Sequence, residues 1–184
     1  MTIRRRLLTM LATCGLMALV PLAAAQPSFA GTPLGPYVIQ NVDSKLCVQP
    51  DPADTGPDIQ VRQDSCANPA VRWWFWRLGG EGVNTTYHIQ NTVTGNCLRA
   101  LSNTDFAQVQ TIDCTGISDL VWSLQQAPSG GHLEVISHVS NGSRCLDVLQ
   151  NALVPTTMDV FHCSSTSTTT NGAQVFFVQP VPAS

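Results

Sequence analysis

The chain has 184 residues, 43% of them apolar and only 11% charged, with a formal net charge of −3. That length allows one domain or two small ones, and the apolar share suffices for a buried core, which excludes a wholly disordered chain. There is no basic surplus to neutralise phosphates, which argues against nucleic-acid binding, and no apolar run beyond the first 25 residues is long enough to span a bilayer.

The chain opens with three arginines, Arg4–Arg6, then an apolar stretch from Leu7 to Leu22, then small residues up to Ala30. A basic start, an apolar middle and a small-x-small end describe a secretory signal peptide over residues 1–30. Cleavage is expected after Ala30, with Ala25 as the other candidate. Export would take Arg4, Arg5 and Arg6 with it and leave six basic against twelve acidic groups, near −6. A secreted domain of low, mildly acidic charge suits neutral ligands better than polyanions.

From Tyr37 onward every segment is short, often alternating, and bounded by Gly, Pro, Asn, Asp or Ser. Strands are predicted at Tyr37–Asn41, Asp58–Gln63, Tyr87–Asn91, Gln108–Asp113, Leu133–Ser137 and Met158–His162. No window holds a clean helical period. Six cysteines remain after the leader, Cys47, Cys66, Cys97, Cys114, Cys145 and Cys163, at separations of 19, 31, 17, 31 and 18. Three short spans thus alternate with two equal long ones, which marks a threefold repeat of about 50 residues. Spacing alone does not dictate connectivity. The repeat does: only Cys47–Cys66, Cys97–Cys114 and Cys145–Cys163 let each repeat keep its own bridge. Zinc binding is the competing use of cysteine, and the absence of C-x-x-C argues against it.

Other positions follow the same period. Tyr37-Val-Ile-Gln-Asn41 and Tyr87-His-Ile-Gln-Asn91 each stand ten residues before a first cysteine, and Leu133-Glu-Val-Ile-Ser137 takes that place in the third repeat. Trp74 and Trp122 each follow a second cysteine by eight residues, with Phe176 as their counterpart after a five-residue insertion. These three are expected in the core, with Trp74-x-Trp76, Trp122-x-Leu124 and Phe176-x-Val178 as inward faces. Trp73, without such a counterpart, is a candidate exposed contact. About four strands per repeat and three repeats (approximately 35–84, 85–131 and 132–184) predict an all-β chain closed into a β-trefoil.

At this point the sequence resembles the ricin-B-type lectin family of carbohydrate-binding β-trefoils. Cys145-Leu-Asp-Val148 matches that family's C-L-D-V element, Cys97-Leu98 and Cys47-Val48 match it in part, and Val109-Gln-Thr-Ile-Asp-Cys114 matches the V-Q-x-aromatic-x-C element except for its aromatic. The resemblance implies that the Asp of C-L-D-V forks to sugar hydroxyls, that the aromatic two residues before the second cysteine packs on the pyranose, and that Asn or Gln near Q-x-W assists. Repeat one has Gln49, Asp64 and Arg72 at these places. Repeat two has Arg99, Ile112 and Leu120, keeping only Gln110 of the middle element. Repeat three keeps Asp147, offers Phe161, and has Gln174 and Asn171 nearby, with His162 beside the ring and Asp159 for the middle Gln. The ligand-binding set is therefore Asp147, Phe161, His162, Asn171 and Gln174, as one weak glycan site.

Enzyme signatures are thin. His88, His132, His138 and His162 lack metal-ligand spacing, and no G-x-S-x-G elbow occurs. Three repeats leave only short tails, so no catalytic domain, cofactor or metal is expected. The rival class is a secreted protein-interaction module such as a protease inhibitor, acting through an exposed loop at Asp51–Pro57 or through the Ser164–Thr170 run.

Overall fold

A computed structural model describes residues 32–115, 118–127, 130–164 and 172–181. The expected leader lies outside these residues. The first repeat forms β1 (Leu34–Asn41), β2 (Cys47–Pro50), β3 (Ile59–Asp64) and β4 (Arg72–Gly79). The second forms β5 (Thr86–Asn91), β6 (Cys97–Ala100), β7 (Ala107–Ile112) and β8 (Trp122–Gln126). The third forms β9 (Leu133–Ser137), β10 (Arg144–Val148), β11 (Thr156–Phe161) and β12 (Phe176–Pro180).

All pairings are antiparallel, and they divide into two closed systems. β1, β4, β5, β8, β9 and β12 pair in a ring, with β12 returning to β1. The hairpins β2–β3, β6–β7 and β10–β11 cap that ring, and β3, β7 and β11 pair with one another around its axis. Among the described residues every strand of the ring is paired on both sides, which is how a chain of short strands avoids edge-to-edge association. The chain is a β-trefoil.

The core repeats with the sequence. Ile39, Ile89 and Val135 are fully buried at one level; Val48, Leu98 and Leu146 are buried at the next; Val61, Val109 and Met158 close the cap. Trp73, Trp122 and Phe176 fill the centre and are 0% exposed. The Trp73 indole donates to the Val48 carbonyl at 2.9 Å, and that of Trp122 donates to Leu98 at 2.8 Å. This corrects the expected register in repeat one, where Trp74 is only half-buried and Trp73 is the core residue. Counting eight residues from the second cysteine fails because the inward indole of repeat one, Trp73, stands seven residues beyond Cys66, whereas Trp122 stands eight beyond Cys114. The inward pairs are Trp73-x-Phe75, Trp122-x-Leu124 and Phe176-x-Val178.

The recurring Gln-Asn pair ties the repeats together. Asn41 accepts from the backbone N–H of Asp43 and Ser44, at 3.1 and 2.9 Å, and its amide donates to Gly172 of the third repeat at 2.8 Å. Asn91 accepts from Val93 and Thr94, at 3.0 and 3.1 Å, and donates to Ala70 of the first at 2.7 Å. Gln40 and Gln90 donate to the carbonyls of Lys45 and Gly95, whose left-handed backbones, φ 59° and 74°, close the same turn. Each polar side chain thus replaces the partners its turn would otherwise seek in water.

Cys47–Cys66, Cys97–Cys114 and Cys145–Cys163 are bridged, as the repeat predicts. Each closes a loop of 17 to 19 residues in sequence separation. Replacing Cys97 and Cys114 together by serine is expected to lower stability by about 3 kcal/mol, mainly by freeing the unfolded chain. A denaturant titration of the double variant against the parent tests this. Among the described residues, no helix is long and apolar enough to cross a membrane.

Candidate functional site

Each cap hairpin presents the same outward face, because cross-strand partners share a side of the pleat. On it the first cysteine lies opposite the family's aromatic position: Cys47 opposite Asp64, Cys97 opposite Ile112 and Cys145 opposite Phe161. Two residues on, Gln49 faces Arg62, Arg99 faces Gln110, and Asp147 faces Asp159.

In repeats one and two this face is occupied by the chain's own cations. Arg62 reaches Asp51 at 3.3 Å and Asp64 at 3.4 Å. Arg99 faces Asp119 at 4.0 Å. In repeat three two carboxyls meet instead. Asp147 is 6% and Asp159 4% exposed, and among the described residues Oδ2 of Asp147 and both carboxyl oxygens of Asp159 have no hydrogen-bond partner. Burial pushes Asp147 up to about 6, against a hydrogen bond from Gln174 and the field of His162, which both pull it down. Burial and the neighbouring charge of Asp147 push Asp159 up to about 7, against a weaker pull from its own backbone N–H. Two carboxyls this close and this dry cannot both be ionised cheaply.

The sequence-predicted residues distribute around this pair. Phe161 is half-buried on the same face as Asp159. His162 is exposed at the rim, where its backbone N–H donates to Asp105 at 2.9 Å and its Nδ1 stands 3.3 Å from the same carboxylate. Gln174 is fully buried and bridges backbone, accepting from the Ser164 N–H at 2.8 Å and donating to the His162 carbonyl at 3.0 Å. It holds the ends of the third repeat's insertion together while touching Asp147. Asn171 and residues 165–170 lie outside the described residues.

Three residues of the site were not found by aligning repeats. Asp105 and Phe106 belong to the β6–β7 turn of repeat two, which packs against β11 of repeat three through a Phe106 N–H to Val160 carbonyl bond of 2.8 Å. The Phe106 ring is 63% exposed and stands 4.8 Å from that of Phe161, centroid to centroid. Phe106 has a left-handed backbone, φ 64°, a costly conformation for a bulky residue. Arg144, from the start of β10, is ion-paired to Asp105 at 3.0 Å. Motif alignment compares repeats with one another; it does not reveal that one repeat's turn becomes the next one's wall.

The profile of a family described as ricin-type beta-trefoil lectin domain-like matches residues 75–160. No curated protein matches the chain. Among solved structures, a Polyporus squamosus lectin, bound to a human-type influenza-binding epitope, superposes with a TM-score of 0.60 at 16% identity, covering 82% of this chain and 50% of that one. A proteinase inhibitor from Coprinopsis cinerea gives 0.59 at 15% identity, covering 83% of this chain and 100% of that one. An exo-beta-1,3-galactanase from Clostridium thermocellum gives 0.67 at 14% identity, covering 80% of this chain but 30% of the enzyme. The chain therefore spans half the length of that lectin and under a third of that galactanase. At such identities the likeness is one of fold, and one fold carries many functions. The cysteine-bridged threefold barrel is thus a β-trefoil whose residues 75–160 are similar to the ricin-type beta-trefoil lectin domain-like family.

Proposed function

We propose that the chain is an exported carbohydrate-binding module with one working site, on the outer face of the β10–β11 hairpin. One observation carries this. Of three equivalent hairpin faces, two are closed by an arginine paired to the chain's own aspartates, and the third holds Asp147 and Asp159 with oxygens that have no partner among the described residues, beside an aromatic ring. Unpartnered buried acceptors are costly unless a ligand satisfies them. Phe161 supplies the apolar contact for a sugar's C–H face and Asp147 the hydrogen-bond acceptors. Export rests on the leader at 1–30 and on three disulfides, which persist in oxidising compartments. The function is binding, without catalysis.

A phenyl platform and a single site set the expected affinity in the roughly millimolar range, about −4 kcal/mol. The test is a glycan array with a panel of insoluble polysaccharides, using the disulfide-bonded domain, Asp147→Ala and the isosteric Asp147→Asn. Binding is expected in the parent and at least about tenfold weaker in both variants, a loss of about 1.4 kcal/mol or more. No binding by a correctly bridged parent overturns the proposal and favours the interaction-module reading. That rival would act through the Asp51–Pro57 loop, which Asp54 organises by accepting from the N–H groups of Gly56 and Gln60 at 3.0 and 2.9 Å. Inhibition of a protease that is lost in Asp54→Ala and unaffected by Asp147→Ala would establish it.

A further inference from the structure

We infer that the ligand of the β10–β11 site carries an ammonium group: the site takes an amino sugar with a free amine, its nitrogen between Asp147 and Asp159 and its ring against Phe161 and Phe106. This rests on the carbohydrate reading above and narrows it from sugars in general to hexosamines that are not N-acetylated.

The comparison of the three hairpin faces points there. In the equivalent cross-strand pair repeat one holds Arg62, on the second strand, between Asp51 and Asp64, and repeat two holds Arg99, on the first strand, facing Asp119. Repeat three has carboxyls at both places of that pair, Asp147 where repeat one has Gln49 and Asp159 where it has Arg62, and no cation there. The two basic groups at its rim, Arg144 and His162, are both engaged by Asp105, at 3.0 and 3.3 Å. A cation from outside would complete what the other repeats complete internally.

The chemistry of the orphaned atoms agrees. An alkylammonium has three N–H donors and no acceptor. The site offers Oδ2 of Asp147 and both oxygens of Asp159, all acceptors when ionised and all unpartnered among the described residues. A neutral hydroxyl would leave the repulsion between the two carboxylates in place, whereas a cation offsets it. Phe161 and Phe106 add two rings at 4.8 Å, which attract a cation through their faces and pack on its carbon skeleton. Asp159 also borders the exposed Gln108, its register partner on β7, on the side where Phe106 stands open to solvent. A divalent metal fits less well. Calcium takes six to eight oxygens, and among the described residues no group of three or more His, Cys, Asp or Glu side chains could hold a metal ion.

The test compares chitosan oligosaccharides with their fully N-acetylated forms, and galactosamine with N-acetylgalactosamine, by calorimetry at pH 7.5 and physiological salt. The proteins are the parent, Asp159→Asn and Phe106→Ala. The parent is expected to bind the free-amine forms at least about tenfold more tightly. In Asp159→Asn that preference should vanish, and in Phe106→Ala both forms should weaken with the preference kept. Equal or tighter binding of the acetylated forms overturns the inference while leaving the carbohydrate reading intact. An amine preference that survives Asp159→Asn overturns it as a general effect of an acidic surface. Binding of N-acetyl-lysine amide, sensitive to Asp159→Asn, with no sugar bound at all, overturns both in favour of a protein side chain.

Discussion

Asp159→Asn is expected to make the unliganded protein more stable at neutral pH. Asp147 and Asp159 stand at about 6 and about 7 in the fold, against about 3.9 for aspartate in an unfolded chain. The fold thus favours their protonated forms. Between about pH 4 and pH 7 the unfolded chain has released these protons while the folded one still holds them, so stability falls as pH rises through this window. Below it the contribution is fully present, and above it the loss is complete. Each unit of displacement is worth about 1.4 kcal/mol, and the two carboxyls titrate as a coupled pair. The isosteric amide removes one buried charge and its repulsion with the other. A gain of about 2 kcal/mol at pH 7.5 is expected, with little change at pH 4.

Denaturant titrations of both proteins at several pH values test this through their difference. The difference matters because other groups have opposite slopes. Asp54, held low by two backbone N–H donors, and His88 and His138, pushed down by burial, each lose stability toward acid. A parent-minus-variant difference that is flat from pH 4 to 8 would show that the pair is not strained. A variant that gains stability while losing ligand has the pattern of a site retained for binding at the fold's expense.

Trp73→Ala is expected to cost about 3–5 kcal/mol and Trp74→Ala about 1 kcal/mol. Trp73 is fully buried in the centre of the trefoil. Removing its indole leaves a cavity and also strips the Val48 carbonyl of its donor, a further loss of about 1–3 kcal/mol if water does not replace it. Trp74 points the other way along the same strand and is half solvated. Equilibrium unfolding monitored by fluorescence and by circular dichroism separates the two. Equal costs, or the reverse order, would return repeat one to the register its cysteine spacing suggests.

Much of this molecule was legible without its structure, for a definite reason. Three repeats of one unit must bury equivalent side chains at equivalent places, so the period, the strand-rich segments and the three local disulfides are imprinted as spacing. The degenerate faces of repeats one and two were also readable, because Gln49 and Asp64, and Arg99 and Ile112, stand where the motif has Asp and an aromatic. The Trp73 register was not. One residue fewer between Cys66 and the inward indole than between Cys114 and Trp122 changes which tryptophan faces inward, and only the folded barrel, with Trp73 buried and bonded to the Val48 carbonyl, shows it.

The candidate site shows the same division. Local spacing determined by itself that Asp147 and Phe161 stand at the motif positions of the third repeat. Tertiary structure alone decided what surrounds them. Pairing of β10 with β11 sets Asp159 against Asp147, and removal of both from water is what strains them. Packing of the β6–β7 turn on β11 brings Asp105 and Phe106 from the second repeat. A pattern within one repeat records contacts within that repeat. Contacts across the threefold axis join residues more than fifty apart, such as Asp105 and His162, and exist only once the barrel has closed.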